Sequence, residues 1–221
     1  MADNEEFLPQ FLPRAKLCGL YVITDAQLGG GHLPIARAAI SGGARILQLR
    51  DKATPPAELL PIARELRRLT REAGVVFLIN DRADLALAVE ADGVHLGPDD
   101  LPIGEARHVL GPQKIIGVTC ATPKEAVAAW RGGADYIGCG AIFGTQTKHD
   151  AGAAIGLEKL RDVVVATPLP VAAIGGVNLE NIASTCAAGA KMACVISAVT
   201  SAGNETAMSQ AVRELMAILE L

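Results

Sequence analysis

Short apolar runs rich in Val, Ile, Leu and Ala recur along the chain at residues 19–24, 44–49, 75–79, 93–96, 114–119, 135–143, 170–175 and 191–198. Apolar residues fall instead at helical spacing over 33–41, 56–73, 82–90, 103–110, 123–131, 157–164, 179–187 and 205–219. Each run of the first kind is followed by one of the second, the pattern of parallel strands joined by crossover helices. The near-continuous runs predict strands buried on both faces. Glycine marks the handover from helix to strand at Gly42-Gly43, Gly132-Gly133 and Gly189, with Ala91-Asp92-Gly93 as a looser copy; glycine there caps a helix and turns the chain. Eight such units favour a closed (β/α)8 TIM barrel over an open doubly wound sheet. No Gly-x-Gly-x-x-Gly follows the first run, which also counts against a dinucleotide fold.

Length agrees with this: 221 residues suit one α/β barrel. Residues 1–18 read as a leader packed on the barrel, with Phe7, Leu8, Phe11 and Leu12 at helical spacing between prolines, and residues 19–221 as the barrel domain. Half of the chain is hydrophobic but only 3% is aromatic, so the core must come from small and branched aliphatic side chains. A net charge of −4 offers no field for nucleic acid or an anionic membrane, so anion-binding residues must act locally. The start, MADNEEF, is acidic where a secretory signal would be basic, and no apolar run approaches the ~18 residues that span a bilayer; a soluble cytoplasmic protein is expected. Cys18, Cys120, Cys139, Cys186 and Cys194 show no metal-binding spacing and read as small buried hydrophobes.

Polar chemistry collects just after the strands, where barrels carry their active sites. Asp81 and Asp100 follow the third and fourth strands, which as sequence neighbours would lie about 4.8 Å apart. Two carboxylates on one rim suit magnesium, completed by water and substrate phosphate; the alternative is a helix N-cap at Asp81 and a solvated turn at Asp99-Asp100. In the second strand Gln48, Arg50 and Lys52 share one parity. If that face is the barrel interior, a guanidinium beside an ammonium suits pyrophosphate; otherwise both cations have left the strand and are solvated. The polar loop 144–152, with Thr145, Gln146, Thr147 and Lys148, either folds over a ligand or is only flexible. Gly175-Gly176 and Ile196-Ser197 follow the seventh and eighth strands, where barrels commonly bind a phosphate. His32, His95, His108 and His149 are scattered and read as structural or exposed, and Met192 and Trp130 as packing residues.

As a set, residues 19–200 closely resemble the thiamine-phosphate synthase family. The resemblance runs, in order, through Tyr21-Val22-Ile23-Thr24-Asp25, Gln48-Leu49-Arg50-Asp51-Lys52, Asn80-Asp81-Arg82, 93–101, Gly117-Val118-Thr119, 138–148, Ile174-Gly175-Gly176-Val177 and Val195-Ile196-Ser197-Ala198. It implies a barrel enzyme, a transferase that joins hydroxymethylpyrimidine pyrophosphate to a phosphorylated thiazole and releases pyrophosphate with magnesium. Asp81 and Asp100 then resemble the magnesium ligands. Gln48, Arg50, Lys52, Asn80 and Lys148, with Leu49 and Asp51 through the backbone, resemble the pyrimidine-pyrophosphate contacts. Thr119 takes a place usually held by serine and keeps its hydroxyl. Thr145, Gln146, Thr147, Gly176, Ile196 and Ser197 resemble the thiazole-phosphate site. Among these, Arg50, Lys52, Thr119 and Lys148 are the expected catalytic groups, because the resemblance implies electrostatic help to a leaving pyrophosphate rather than a nucleophile or base.

Partners are thus expected to be small phosphorylated molecules, with the oligomeric state, homo-oligomer included, left open. Two readings compete. A thiazole tautomerase relative would lack both acids and carry a histidine where this chain has Ala141. A non-catalytic phosphate-ligand barrel would not need Asp81, Asp100 and the 48–52 cations together.

Overall fold

The computed structural model describes residues 17–144 and 153–219. Strands β1 (Gly19–Ile23), β2 (Ile46–Leu49), β3 (Val76–Asn80), β4 (Gly93–Leu96), β5 (Ile115–Thr119), β6 (Tyr136–Cys139), β7 (Val171–Ala173) and β8 (Met192–Val195) pair in parallel in sequence order, and β8 closes on β1. Helices α1 (His32–Gly42), α2 (Pro56–Ala73), α3 (Ala83–Ala88), α4 (Ile103–Leu110), α5 (Pro123–Arg131), α6 (Gly156–Ala166) and α7 (Ile182–Ala187) follow β1 to β7 in turn. The short α8 (Ser197–Thr200) and the long α9 (Glu205–Leu219) follow β8. This is the TIM barrel that the alternation predicts.

Period two along each strand divides the core into two layers. Ile46, Val76, Leu78, Ile115 and Met192 fill the barrel interior, while Leu47, Leu49, Phe77 and Ile79 face outward to Ile35, Ala39, Ala63 and Leu66 on the helices. Small residues set the helix approach: a Cβ at Gly42 would stand 2.4 Å from Val212, so α1 and α9 pack at a distance only glycine allows. α5 starts on a capping box, in which the Thr122 hydroxyl accepts the Glu125 N–H and the Glu125 carboxylate accepts the Thr122 N–H. Gly43 ends α1 in the left-handed conformation, as the punctuation predicts, and Gly74, which that reading did not single out, ends α2 in the same way.

At the N-terminal end of the barrel two aspartates repeat one construction. Asp92 accepts the Phe77 N–H and pairs with Arg67 at 3.0 Å. Asp135 accepts the Ile116 N–H and pairs with Arg107 at 2.7 Å. Each ties its own strand to the one before it. Asp135→Ala strands a half-buried guanidinium and a strand N–H far from the opposite rim. It is expected to cost about 2–4 kcal/mol in chemical denaturation while leaving activity per folded molecule unchanged.

Several expectations need correction. The apolar run 135–143 is a strand only to Cys139, and residues 140–143 already belong to the loop running beside the β7 exit. The run 191–198 leaves the sheet at Val195 and turns into α8, because its apolar sequence carries no breaker to mark the change. Trp130 is 45% exposed and is not a core residue, whereas Met192 is buried. Cys120, Cys139 and Cys194 are buried as expected, but Cys18 is only partly buried and Cys186 is exposed. Burial pushes the Cys120 thiol up to about 12 and the Cys139 thiol up to about 11, so both stay protonated and inert. Leu17 is buried against the interior layer, but Phe7, Leu8, Phe11 and Leu12 of the leader, and Thr145, Gln146, Thr147 and Lys148, lie outside the described residues. No helix among the described residues is long and apolar enough to cross a membrane.

Candidate active site

The C-terminal ends of the strands open into a cavity of about 330 Å³, a volume typical of small-ligand sites. Gln48, Arg50 and Lys52 all line it. The inward parity of 48, 50 and 52 is therefore realised, and Leu49 and Asp51 take the other side. Leu49 is buried against the helices, and the Asp51 carboxylate is used inside its own loop. Neither lines the cavity.

Asn80 and Asp81 leave β3 in a tight turn, where Arg82 N–H donates to the Asn80 carbonyl and Asp81 N–H donates to the carbonyl of His95 on β4. That turn holds Asp81 at φ 64, a left-handed conformation that aspartate tolerates better than most residues. Asp81 is therefore not the N-cap of α3, which starts two residues later. Its carboxylate lines the cavity and lies 3.4 Å from the Lys52 ammonium. Burial first, and the neighbouring Asp100 carboxylate second, raise the Asp81 pKa above the ordinary carboxylate range, with Lys52 opposing them. Asp100 is fixed from below by the Gly97 N–H, which donates to its Oδ2 at 2.7 Å. β3 and β4 are hydrogen-bonded neighbours, so the rim brings the two acids together as their sequence positions predict.

The floor of the cavity is a polar chain that joins Gln48 to Thr119 through three rings whose bonding the sequence does not reveal. The Gln48 side-chain amide donates to the Tyr21 hydroxyl. Tyr21 and Tyr136 share a hydrogen bond of 3.0 Å, Tyr136 meets His95 Nδ1 at 2.7 Å, and His95 Nε2 meets the Thr119 hydroxyl at 2.9 Å. Burial raises both tyrosine pKa values well above the ordinary phenol value, so each stays a neutral hydroxyl. The rings fit because glycines make room for them. A Cβ at Gly117 would lie 2.0 Å from the Tyr136 ring, and one at Gly138 2.8 Å from the His95 ring. Tyr21, His95 and Tyr136 were legible only as polar rings at inward-facing positions of apolar strands.

On the far side, Gly175 and Gly176 leave β7 at φ 97 and 67. A Cβ at Gly176 would stand 2.5 Å from the Gly144 carbonyl oxygen, so the loop after β6 lies directly against the backbone here. Asn181 holds the turn by donating to the Gly176 carbonyl at 2.9 Å. Ile196 and Ser197 line the same wall, with Ser197 opening α8. Among the described residues the cavity thus unites Gln48, Arg50, Lys52, Asn80, Asp81, Asp100, Thr119, Gly176, Ile196 and Ser197.

The family model for thiamine monophosphate synthase matches residues 20–199, which includes every strand of the barrel but the first residue of β1. The chain belongs to the thiamine monophosphate synthase family. The thiamine-phosphate synthase of Moorella thermoacetica is 49% identical to it over 199 residues, 89% of this chain and 95% of that protein. The thiamine-phosphate synthase of Methanospirillum hungatei is 49% identical over 201 residues, 90% of this chain and 98% of that protein. The solved thiamine phosphate pyrophosphorylase from Pyrococcus furiosus superposes with a TM-score of 0.86 at 43% identity, covering 94% of this chain and 97% of that one. As a member of the thiamine monophosphate synthase family the chain carries both rim acids and the inward Gln48, Arg50 and Lys52 in one cavity.

Proposed function

We propose that the chain is a thiamine-phosphate synthase that joins hydroxymethylpyrimidine pyrophosphate to thiazole phosphate and releases pyrophosphate. The observation that carries this reading is one cavity with two different anion-suited walls: Arg50 and Lys52 on one side, and the Gly176 and Ser197 turns on the other. Two phosphorylated reactants would then meet over a floor of hydrogen-bonding and apolar side chains. The bond from the pyrimidine methylene to the pyrophosphate oxygen breaks, and its electron pair leaves with the oxygen. The thiazole nitrogen supplies the pair for the new carbon–nitrogen bond. No proton need be moved, so the site requires placement and charge rather than a base.

Arg50 and Lys52 face the leaving group, and Gln48 and Thr119 present hydrogen-bonding groups to the ring between the two anions. Lys148, which follows β6 in the sequence, is proposed from the sequence as a third cation for the departing pyrophosphate. Magnesium fits the acid pair, since Asp81 and Asp100 set two like charges side by side at the edge of the cation wall. Bound there, it would neutralise pyrophosphate charge as the leaving group departs. Among the described residues no three His, Cys, Asp or Glu converge as a metal site, which suits an ion completed by substrate and water.

The tautomerase alternative needs a proton-moving group near the thiazole. Ala141 stands where that reading wants a histidine, and the His95 ring nitrogens are bonded to Tyr136 and Thr119. The synthase reading is tested by the independence of its two walls. Arg50→Ala should weaken pyrimidine-pyrophosphate binding by roughly tenfold or more, the cost of a charge-assisted bond. Ser197→Ala should weaken thiazole-phosphate binding instead, by a smaller factor. Direct titration of each ligand into each variant checks this, and parallel losses for both ligands would contradict the two-walled site.

A further inference from the structure

Outside the cavity, behind the cation wall, lies a buried set that the reaction does not use. Thr24, at the exit of β1, is fully enclosed, and its hydroxyl accepts the Arg50 N–H at 3.4 Å. The same hydroxyl lies 2.8 Å from Nδ1 of His32, the first residue of α1. His32 Nε2 lies 2.9 Å from Asp51 Oδ2, and Asp51 Oδ1 accepts the N–H groups of Ala53 and Thr54 at 2.9 and 2.8 Å. The His32 and Asp51 side chains are 5% and 2% exposed.

Burial alone would raise the Asp51 pKa, but hydrogen bonds from Thr54, His32 and Ala53 outweigh it and hold the group below the usual carboxylate range. The ionised carboxylate only accepts, so Nε2 carries the hydrogen, while Nδ1 shares its hydrogen bond with the Thr24 hydroxyl. Starting at the Arg50 backbone, the circuit passes through Thr24, His32 and Asp51 and returns to the backbone of 53 and 54. It stitches both sides of the segment that carries Arg50 and Lys52. Just past the end of β2, Asp51 is anchored away from the cavity while its two neighbours Arg50 and Lys52 line it, so the hold on Asp51 fixes the side to which both cations turn. Gly29, Gly30 and Gly31, all at positive φ, bring the chain from β1 round to place His32 there.

We propose that His32 is a positioning residue for pyrophosphate binding: through Asp51 and Thr24 it holds Arg50 and Lys52 in their inward register. This rests on the synthase reading above. The whole chain is titrated with magnesium pyrophosphate and, separately, with thiazole phosphate. His32→Leu, which keeps bulk but removes both bonds, should weaken magnesium pyrophosphate by about tenfold, the loss of one bond to a charged acceptor, and leave thiazole phosphate within about twofold. His32→Gln, whose amide can still donate to Asp51, should recover most of that loss. A purely structural histidine would instead give Leu and Gln variants that lose both ligands alike. Should His32→Leu fail to fold, Thr24→Val removes the hydroxyl at nearly constant volume and should show the same selective loss. Pyrophosphate binding unchanged in these variants, or no better in Gln than in Leu, overturns the inference alone. Wild-type protein that does not bind magnesium pyrophosphate overturns the synthase reading and the inference with it.

Discussion

Asp81→Asn is expected to lower turnover by about a hundredfold or more while raising the melting temperature at neutral pH. Asparagine tolerates the left-handed backbone at φ 64, so the turn after β3 survives the change. What disappears is a carboxylate held beside Asp100 in a partly enclosed site. The folded chain raises the pKa of Asp81, so it binds that proton more tightly than the unfolded chain does. Stability contributed by this group therefore falls as pH rises from the ordinary carboxylate value through the raised one. At neutral pH the ionised form burdens the folded state, and asparagine removes the burden; at pH below both values the difference vanishes. Lys52 loses a partner, but its side chain is 54% exposed and the loss is small. Asp100→Asn should lose activity with a smaller gain, because it relieves the same repulsion but weakens the charge-assisted bond from the Gly97 N–H. Turnover assays over a range of magnesium concentrations and melting curves across pH check the two parts. Near-normal activity of both variants at low magnesium would remove the metal assignment.

Gly176→Val is the second large effect. The site holds φ at 67, and a Cβ there would stand 2.5 Å from the Gly144 carbonyl oxygen and 2.8 Å from the Phe143 Cβ. Neither neighbour is the far end of a flexible side chain, so the β6 and β7 exits must move apart. The left-handed conformation and the overpacking together should cost about 2–5 kcal/mol of stability. Thiazole-phosphate binding should fall further than that loss explains, since the displaced backbone belongs to its wall. Pyrimidine-pyrophosphate affinity, on the opposite wall, should change least. Titrations below the variant's melting temperature distinguish the two effects.

Much of this was legible in the sequence because barrel strands obey period two. Gln48, Arg50 and Lys52 could be placed on one face before any coordinates, and consecutive parallel strands put Asp81 beside Asp100. The glycine pairs told where helices end, because only glycine reaches those conformations cheaply. Strand ends were less legible. Ala141, Ile142 and Ile196 stay apolar after leaving the sheet, because they are buried against neighbouring elements rather than in solvent. The polar floor was missed because hydrophobicity alone treats Tyr21, His95 and Tyr136 as isolated rings. Their bonds join residues 24 to 115 positions apart, and no local pattern encodes them. The Asp51 carboxylate reads as one charge among cations in sequence, yet its partner His32 comes from another strand's exit.

The most direct measurement incubates the purified protein with hydroxymethylpyrimidine pyrophosphate, thiazole phosphate and magnesium, and follows thiamine phosphate and pyrophosphate together. The synthase account predicts both products in equal amounts, dependence on both substrates, and loss of both products in Asp81→Asn and Arg50→Ala. Absence of thiamine phosphate with the folded wild-type protein, or pyrophosphate release that does not require the thiazole, would contradict it.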